Sequence, residues 1–240
     1  MLRSLWVAKT GLDTQQTQLD VITNNLANVS TTAFKRQRPV FQDLVYQQLR
    51  ASGLYQDANS VLPIGLEAGA GARVSATQRI FSLGAMNQTS NPLDLAITGE
   101  GFFAVQNPVT KEVFYTRSGN FTLSPDPYGS GNSNITTGTG FLVMGQNDTP
   151  IQIPHGASTI MVGSDGTVSV YEEGKTSEAK KQGQIAVYTF SNPAGLGGAS
   201  DGQYTISPAS GDRLGGVPQA GGSGSILQSY VEQSNVNVAE

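Results

Sequence analysis

The chain has 240 residues, no cysteine and a net charge of −4. The absence of cysteine excludes disulfides, thiolate catalysis and cysteine-based metal sites. The negative net charge does not indicate the basic surface with which proteins bind nucleic acid. Charged residues make up only 13% of the chain, against roughly 25% in ordinary globular proteins. Together with 29 glycines, this composition is typical of a turn-rich β protein with a neutral polar surface.

The first predicted element is a helix over about residues 4–28. Its apolar residues recur in alternating steps of three and four, the pattern of a helix that packs lengthwise against another helix. The predicted subunit-packing residues, here called the leucine seam, are Leu5, Leu12, Leu19, Ile22, Leu26 and Val29. Because no later segment has a helical pattern of matching length, the seam indicates an N-terminal coiled-coil segment in a chain that assembles with copies of itself.

A break in the helical pattern follows at residues 30–32, where β-branched and hydroxyl residues cluster. A short basic run of Lys35, Arg36 and Arg38 comes next. Such a run is usually a solvated surface, so we expect these side chains to be exposed, with contact to phosphate or membrane as the alternative.

Two further elements are predicted before the β-rich body. Residues 40–50 place apolar side chains at helical spacing behind Pro39, which favours a short amphipathic helix. Residues 51–71 hold several glycines and few periodic apolar residues, which favours an extended linker. The apolar residues of this linker, Leu54 and Leu62 among them, exceed what a disordered linker needs and suggest a strut between subunits.

Strands are predicted from about Arg73 onward, as short apolar segments separated by glycine-rich turns. Their spacing favours an antiparallel β-sandwich or barrel-like central domain, so the fold class is mainly β with an N-terminal helix. Residues 117–119 and 165–166 have hairpin signals. Residues 125–140 are predicted to be a loop, and residues 230–238 an extended strand that leads away from the β domain.

Four parts follow from this reading of the chain. Residues 1–33 form the N-terminal helical segment, and residues 34–71 the short helix and linker. Residues 72–224 form the β-rich domain. Residues 225–240 form a returning strand.

Catalytic chemistry is not indicated by any local pattern in the sequence. His155 is the only histidine, and a single loop histidine is most often a surface residue. The acidic residues show neither EF-hand spacing nor a histidine–carboxylate metal pattern. We therefore predict no enzymatic activity, no cofactor and no metal site. A hydrolase of cell-wall polymer stays the alternative, since folding can bring two distant carboxylates together.

The N-terminus does not have the pattern of a cleavable signal peptide, because Lys9 and Asp13 interrupt its apolar residues. No segment reaches the run of about 18 apolar residues that spans a bilayer. If the protein leaves the cytoplasm, we expect a route that does not cleave this end.

Four segments carry recognisable motifs, and the N-terminal motif is highly specific. They are SLWVAKTGL at 4–12, LDVITNNLANVSTTAFKR at 19–36, GEGFF at 99–103 and YVEQSNVN at 230–237. They resemble the bacterial flagellar basal-body rod and hook family over the whole chain. The residues that match the family motif are Asn24, Asn25, Asn28, Phe34, Lys35, Gly99, Gly101, Phe102, Phe103, Ser234, Asn235 and Val236.

The resemblance implies an axial structural protein, nearest to the distal rod members because residues 46–71 look like an insertion that short hook proteins lack. Such a protein is exported without a cleaved signal peptide and polymerises helically in the periplasmic space to transmit torque through the cell wall. The implied partners are copies of itself, neighbouring rod and hook proteins, and the peptidoglycan- and outer-membrane-ring proteins. The alternatives are a proximal rod or hook subunit and, further away, a secreted β-rich adhesin.

Three features depart from the family pattern. Ala33 stands where the family usually has glycine, so the turn before Phe34 is expected to be helical or β rather than left-handed. The loop over residues 125–140 is longer than usual. Family members also continue beyond the position of Glu240 into a C-terminal helix, so we expect this chain to be truncated and, alone, a monomer or weak oligomer.

Overall fold

The computed structural model describes residues 2–51, 55–57, 60–61, 64–126, 131–172 and 179–237. The chain divides into two compact units. Unit 1 comprises Met1–Ala27 and Gln37–Ile80, and unit 2 comprises Asn28–Arg36 and Phe81–Glu240. The four-part division of the sequence is a different partition, and it stays a prediction about the assembled state.

Unit 1 consists of one helix and one long, nested β-hairpin. Helix α1 spans Leu2–Ala27, which confirms the predicted N-terminal helix. The strands are β1 (Gln37–Asp43), β2 (Gln47–Arg50), β3 (Tyr55–Asp57), β4 (Ser60–Val61), β5 (Leu66–Ala68) and β6 (Ala72–Arg79). The outgoing strands pair with the returning strands in reverse order, β1 with β6, β2 with β5 and β3 with β4, all antiparallel.

The prediction of a short helix over residues 40–50 is wrong, because this stretch forms the end of β1 and all of β2. Val40 pairs with Ala76 and Phe41 with Val74, across a register shift that marks a bulge. Local spacing of the apolar residues fits a helix, but β-branched and aromatic side chains suit a strand once a partner is available. The partners of Val40 and Phe41 lie more than thirty residues further along the chain. Local periodicity carries no information about partners at that distance.

The extended linker expected over residues 51–71 is also corrected. Its described part contains β3, β4 and β5, which are hydrogen-bonded in the hairpin rather than free. Leu54 and Leu62, on which the idea of a strut partly rested, lie outside the described residues.

Unit 2 is built from short antiparallel strands. They are β7 (Met86–Gln88), β8 (Leu95–Thr98), β9 (Phe102–Gln106), β10 (Val113–Thr116), β11 (Phe121–Pro125), β12 (Asn132–Thr137), β13 (Leu142–Val143), β14 (Gln152–Pro154), β15 (Ala157–Val162), β16 (Thr167–Glu172), β17 (Lys180–Gln184), β18 (Val187–Phe190), β19 (Gly197–Gly198), β20 (Gln203–Thr205), β21 (Arg213–Gly215), β22 (Ser225–Gln228) and β23 (Tyr230–Glu232), with a 3₁₀ turn at Pro193–Gly195. The largest sheet has ten strands around the path β11-β12-β13-β9-β10-β20-β19. A three-stranded sheet, β15-β16-β17, and the pairs β22-β8 and β23-β7 complete the unit.

Two apolar clusters form the core of unit 2. The first contains Leu95, Ile97, Phe103, Val105, Phe121, Ile135, Val143, Ile151, Ile153, Val162, Val168, Val170, Ile185, Val187 and Ile226. The second contains Phe102, Ala104, Tyr115, Met144, Ala186, Tyr188, Phe190, Leu196 and Tyr204. Strand β9 supplies both clusters, because its successive side chains point to opposite faces of the sheet. The predicted class, mainly β with antiparallel sheets and an N-terminal helix, is confirmed.

The turn predictions in unit 2 have mixed outcomes. The hairpin at residues 165–166 is confirmed, since β15 and β16 pair across it. The hairpin at residues 117–119 is wrong, because β10 pairs with β9 and β20 whereas β11 pairs with β12. The loop expected over residues 125–140 contains β12, although residues 127–130 lie outside the described part.

The strand expected to lead away from the β domain over residues 230–238 instead returns to it. Strand β23 pairs with β7, and Glu232 at its end is almost completely buried. Val238 lies outside the described residues. Among those that are described, no helix has the length and apolar character to cross a membrane.

Candidate functional site

The leucine seam of α1 faces solvent. The exposed fractions are 66% for Leu5, 71% for Leu12, 63% for Leu19, 50% for Ile22 and 52% for Leu26. Val29 follows the end of the helix and is half-buried. Large apolar side chains at regular helical spacing, exposed over five turns, form a contiguous face of the kind that marks a binding surface.

Helix α1 uses a different face inside unit 1. Its buried and half-buried residues are Val7, Thr10, Gly11, Thr14, Thr17, Gln18, Val21 and Asn25. Most of them are small or polar, and the hairpin approaches closely: a Cβ on Gly71 would lie 2.2 Å from the Thr10 hydroxyl oxygen. Arg3 also donates a hydrogen bond to the Ala68 carbonyl oxygen, at 2.8 Å. The helix therefore packs on its own hairpin mostly through small or polar residues, and the leucines of the seam stay exposed in unit 1.

The asparagine motif at the end of α1 fastens the helix to the start of the hairpin. The Asn25 side chain donates to the Gln37 carbonyl oxygen at 2.8 Å and accepts from the Gln37 N–H at 2.9 Å. Asn28 accepts a hydrogen bond from the Thr31 hydroxyl at 3.2 Å, in the turn that ends the helix. Asn24 is exposed. Asn25 and Asn28 thus serve the local structure at the end of the helix.

A buried cluster of three charged side chains lies in unit 2, and we call it the ion triad: Lys35, Arg117 and Glu232. The Lys35 ammonium is 2.5 Å from Glu232 Oε1, and Arg117 Nε is 3.0 Å from Glu232 Oε2. The exposed fractions are 1% for Lys35, 4% for Arg117 and 1% for Glu232. Charges this deeply buried are tolerated only when they are paired and hydrogen-bonded.

Backbone groups satisfy the remaining donors and acceptors of the triad. Lys35 also donates to the Ser82 carbonyl oxygen at 2.8 Å, and Glu232 Oε1 accepts from the Gly84 N–H at 2.8 Å. The Arg117 guanidinium donates to three carbonyl oxygens: that of Ile97 in β8 (3.3 Å), and those of Gly99 (2.9 Å) and Gly101 (2.8 Å) in the turn before β9. Its Cζ also lies 5.9 Å from the centroid of the Phe102 ring.

Burial and charge act in opposite directions on the triad. Burial lowers the pKa of the Lys35 ammonium, and the Arg117 charge acts in the same direction, although Glu232 opposes both. Burial alone raises the pKa of the Glu232 carboxyl. The charges of Arg117 and Lys35 and the Gly84 N–H outweigh that effect, so the pKa of Glu232 is below its usual value. Glu232 is therefore held as the carboxylate between two cations.

The sequence predicts that the basic run of Lys35, Arg36 and Arg38 is exposed. This prediction is wrong for Lys35, which is buried. Arg38 is exposed and Arg36 half-buried, whereas Lys35 points into unit 2. The carboxylate that balances Lys35 lies 197 residues further along the chain. A short basic run is therefore no guide to exposure when its partner charge is distant.

A second set of contacts joins the two motif segments beside the triad. The Asn235 side chain accepts from the Arg36 N–H at 2.7 Å and donates to the Ser82 hydroxyl at 3.0 Å. Its backbone N–H donates to the Phe34 carbonyl oxygen at 3.3 Å. In the same segment, Ser234 Oγ accepts from the Val236 N–H at 3.3 Å.

The turn before Phe34 is left-handed, contrary to the expectation drawn from Ala33. Ala33 has φ of +56°, is buried, and donates its N–H to the Glu232 carbonyl oxygen at 2.8 Å. Tertiary contacts thus hold an alanine in a conformation that glycine adopts more easily.

The glycine–aromatic motif at residues 99–103 supplies acceptors to the triad and side chains to the core. Gly101 has φ of +133°, and a Cβ there would lie 2.4 Å from Val187 Cγ1. The next two residues are buried on opposite faces of β9, with Phe103 packed edge to face on Phe121 at 5.2 Å between centroids. The motif is therefore explained by local structure in unit 2.

Gly84→Ala is expected to lower the free energy of unfolding of unit 2 by about 2 kcal/mol, since an added methyl group in a packed site forces the backbone apart. A Cβ on Gly84 would lie 2.0 Å from the Gln233 carbonyl oxygen, which the neighbouring backbone fixes in place. Chemical denaturation measures the change. Gly138→Ala is the matched control, because a Cβ there meets nothing within 4 Å. Equal stability of the two variants would contradict the close approach.

His155 is exposed in the turn between β14 and β15. Among the described residues, no group of three or more histidine and carboxylate side chains is placed to hold a metal ion.

Comparison with known proteins agrees with the motif segments. Residues 5–35 match the family described as flagella basal body rod protein, and residues 96–170 match the flagellar hook protein FlgE/F/G D1 domain. The flagellar basal-body rod protein FlgG of Buchnera aphidicola (subsp. Schizaphis graminum) is 41% identical over 240 residues, which is 100% of this chain and 88% of that protein. This chain belongs to the flagellar basal-body rod protein FlgG family.

Distant bacteria carry relatives of similar coverage. FlgG of Borreliella burgdorferi is 35% identical over 240 residues, and FlgG of Bacillus subtilis is 36% identical over 245 residues, each with 100% of this chain and 87% of the relative covered. The resemblance to the rod and hook family is therefore confirmed, and the chain is a structural protein of the flagellar rod, in the basal body. The alignments to these FlgG relatives cover the whole of this chain, including the helix, the hairpin and the residues of the ion triad.

Sequence reasoning named Lys35 as a motif residue but missed Arg117 and Glu232. Glu232 stands inside the quoted segment YVEQSNVN, so its place in a motif was a signal that its charge has a fixed role. Arg117 stands in the supposed hairpin turn and carries no such local signal.

Proposed function

We propose that this chain is an axial subunit of the distal rod, which polymerises helically with copies of itself and transmits torque through the cell wall. The observation that carries the proposal is the exposed leucine seam of α1. Burying a large aliphatic side chain stabilises an interface by about 1.5–3 kcal/mol. Five such side chains, half or more exposed, are sufficient to drive lengthwise packing of helices from neighbouring subunits.

The parts of the chain have distinct roles in this proposal. Residues 1–33 form the axial core, with Val29 joining the seam once subunits pack, and residues 72–224 form the outer body. Residues 34–71, as the first arm and tip of the hairpin, contact a neighbouring subunit. Residues 225–240 return to the body and lead towards the axial core.

The site of assembly follows from the same proposal. The subunit is exported without a cleaved signal peptide and assembles in the periplasmic space. Its partners are the neighbouring rod and hook proteins and the peptidoglycan- and outer-membrane-ring proteins. It acts mechanically and has no enzymatic activity, no cofactor and no nucleic-acid partner. Support comes from the family and from motif residues that serve packing and ion pairing.

A hook subunit is the second candidate, and one observation bears on it. The flagellar hook protein FlgE of Helicobacter mustelae is 36% identical over 149 residues, which covers 60% of this chain and 31% of that protein. The FlgG relatives match over the whole chain, hairpin included, and this difference in coverage favours the rod.

Leu12→Gln with Leu19→Gln is expected to abolish rod assembly while leaving unit 2 folded. Glutamine is a good helix former, so the double change removes apolar contact area without breaking α1. Motility of a strain that lacks its own rod protein, with electron microscopy of its basal bodies, measures assembly. The thermal midpoint of the purified chain reports the stability of unit 2.

The matched control is Asp13→Gln with Asp20→Gln, which changes two exposed residues of the same helix outside the seam. We expect the control to remain motile. Normal rods from the Leu12→Gln, Leu19→Gln chain would show that the seam is not the assembly surface.

A further inference from the structure

We propose that residues 225–237 form a clasp: unit 2 closes around its N-terminal motif segment only when the Glu232 carboxylate enters between Lys35 and Arg117. The clasp is a conformational device built into the fold, and it concerns the order in which the segments dock. It is independent of the leucine seam.

Three segments far apart in sequence meet at the clasp. Residues 33–36 contribute Lys35, residues 82–85 contribute backbone groups, and residues 232–235 contribute Glu232. Glu232 contacts both other segments, through the Lys35 ammonium and the Gly84 N–H. Its own carbonyl oxygen also accepts the Ala33 N–H, at 2.8 Å. The returning segment is thus the common partner of the other two.

The charges explain why the returning segment is required. Before Glu232 arrives, Lys35 and Arg117 have backbone carbonyl oxygens as acceptors but no described carboxylate within salt-bridge distance. Burying two cations side by side with neutral acceptors alone is strongly unfavourable, since each loses its hydration without a compensating charge. Without the carboxylate, Lys35 therefore stays in water, and residues 33–36 stay with it.

The strands of the clasp add a second requirement. In the described residues, β22 is the only strand paired with β8, and β23 is the only strand paired with β7. Strand β8 carries Leu95 and Ile97 into the first core cluster, where Ile226 of β22 joins them. Docking of the clasp therefore buries apolar core and closes the triad in one step.

The order of synthesis gives this arrangement a consequence. A chain is made from its N-terminus, so Glu232 appears after Lys35 and Arg117. Until then the N-terminal motif segment is undocked from the rest of unit 2. A partly made chain therefore does not present a finished fold.

The test uses the full chain with a protease site inserted between Gly221 and Gly222, two exposed residues of one turn. After folding, the chain is nicked, its C-terminal fragment is removed by dilution, and synthetic peptides of residues 222–240 are added back. One peptide is unchanged, one carries Glu232→Gln, and the control carries Gln233→Glu at the neighbouring exposed residue. Hydrogen exchange at the Ala33 and Arg36 amides reports docking of the motif segment, and exchange at Val168 reports the rest of unit 2.

We expect the unchanged and control peptides to bind with equal affinity and to restore protection at Ala33 and Arg36. The Glu232→Gln peptide is expected to bind about 100-fold more weakly or worse, the size of effect that follows from leaving a buried charge unpaired. Protection at Ala33 and Arg36 in the nicked chain without peptide would overturn the proposal. Equal affinity of the Glu232→Gln peptide would overturn it as well.

Discussion

Arg117→Met is expected to lower the free energy of unfolding of unit 2 by about 3–5 kcal/mol, the usual effect of removing one partner from a buried ion pair. Arg117 holds Glu232 and three backbone carbonyl oxygens at once. Methionine fills similar volume, so the loss reports the charge and the hydrogen bonds rather than a cavity. Urea denaturation followed by the near-ultraviolet signal of the buried tyrosines measures it.

Two further variants separate charge from geometry. Arg117→Lys keeps the charge but lacks the planar guanidinium group that reaches several acceptors. We therefore expect it to lower the free energy of unfolding of unit 2, but by less than Arg117→Met does. Arg213→Met removes the ion pair between Arg213 and Asp148, whose side chains are 35% and 44% exposed, respectively. Exposed ion pairs contribute only about 0–1 kcal/mol to the free energy of unfolding. Similar losses for Arg117→Met and Arg213→Met would contradict the assignment of the triad as the central electrostatic contact.

Shortening the hairpin is expected to prevent straight rods from forming while leaving unit 2 as stable as before. Replacing residues 51–65 with Asn-Gly supplies a two-residue turn after β2 and keeps the pairing of Arg50 with Leu66. The change removes the hairpin beyond β2 and β5, including Ile64 between β4 and β5, which is 75% exposed. An exposed apolar residue on such a ribbon is suited to contact with a neighbouring subunit.

Electron microscopy of basal bodies and the thermal midpoint of the purified chain measure the two outcomes separately. Lengthwise packing through the leucine seam is unchanged in this variant, so subunits are still expected to associate, in bent or irregular assemblies. Straight rods of normal appearance would show that the tip of the hairpin has no role between subunits.

Local sequence pattern was sufficient where an element depends on its own residues. Helix α1 follows from apolar spacing over seven turns, and the β15–β16 hairpin follows from the turn residues at 165–166. The pattern failed over residues 40–50, where the spacing of the apolar residues also fits a helix. There the deciding contacts are with β5 and β6, and a β-strand is defined by a partner that periodicity does not identify.

The ion triad could not be found from spacing, because its members are brought together by the sheet topology of unit 2. The separations are 197 residues between Lys35 and Glu232 and 115 between Arg117 and Glu232. Family resemblance marked Lys35, yet it did not show what the residue contacts. The exposure of the leucine seam, in contrast, agrees with the sequence, in which no later segment has a helical pattern of matching length to cover it.

The amide pair between Asn25 and Gln37 has a mechanical consequence. Two segments joined by one hydrogen bond can rotate about that bond. The planar amide of Asn25 makes two hydrogen bonds to the backbone of Gln37, and the pair resists such rotation. The junction therefore acts as a torsional stop between the end of α1 and the first strand of the hairpin. For the rod subunit proposed above, we expect this junction to pass rotation of the helix on to the hairpin.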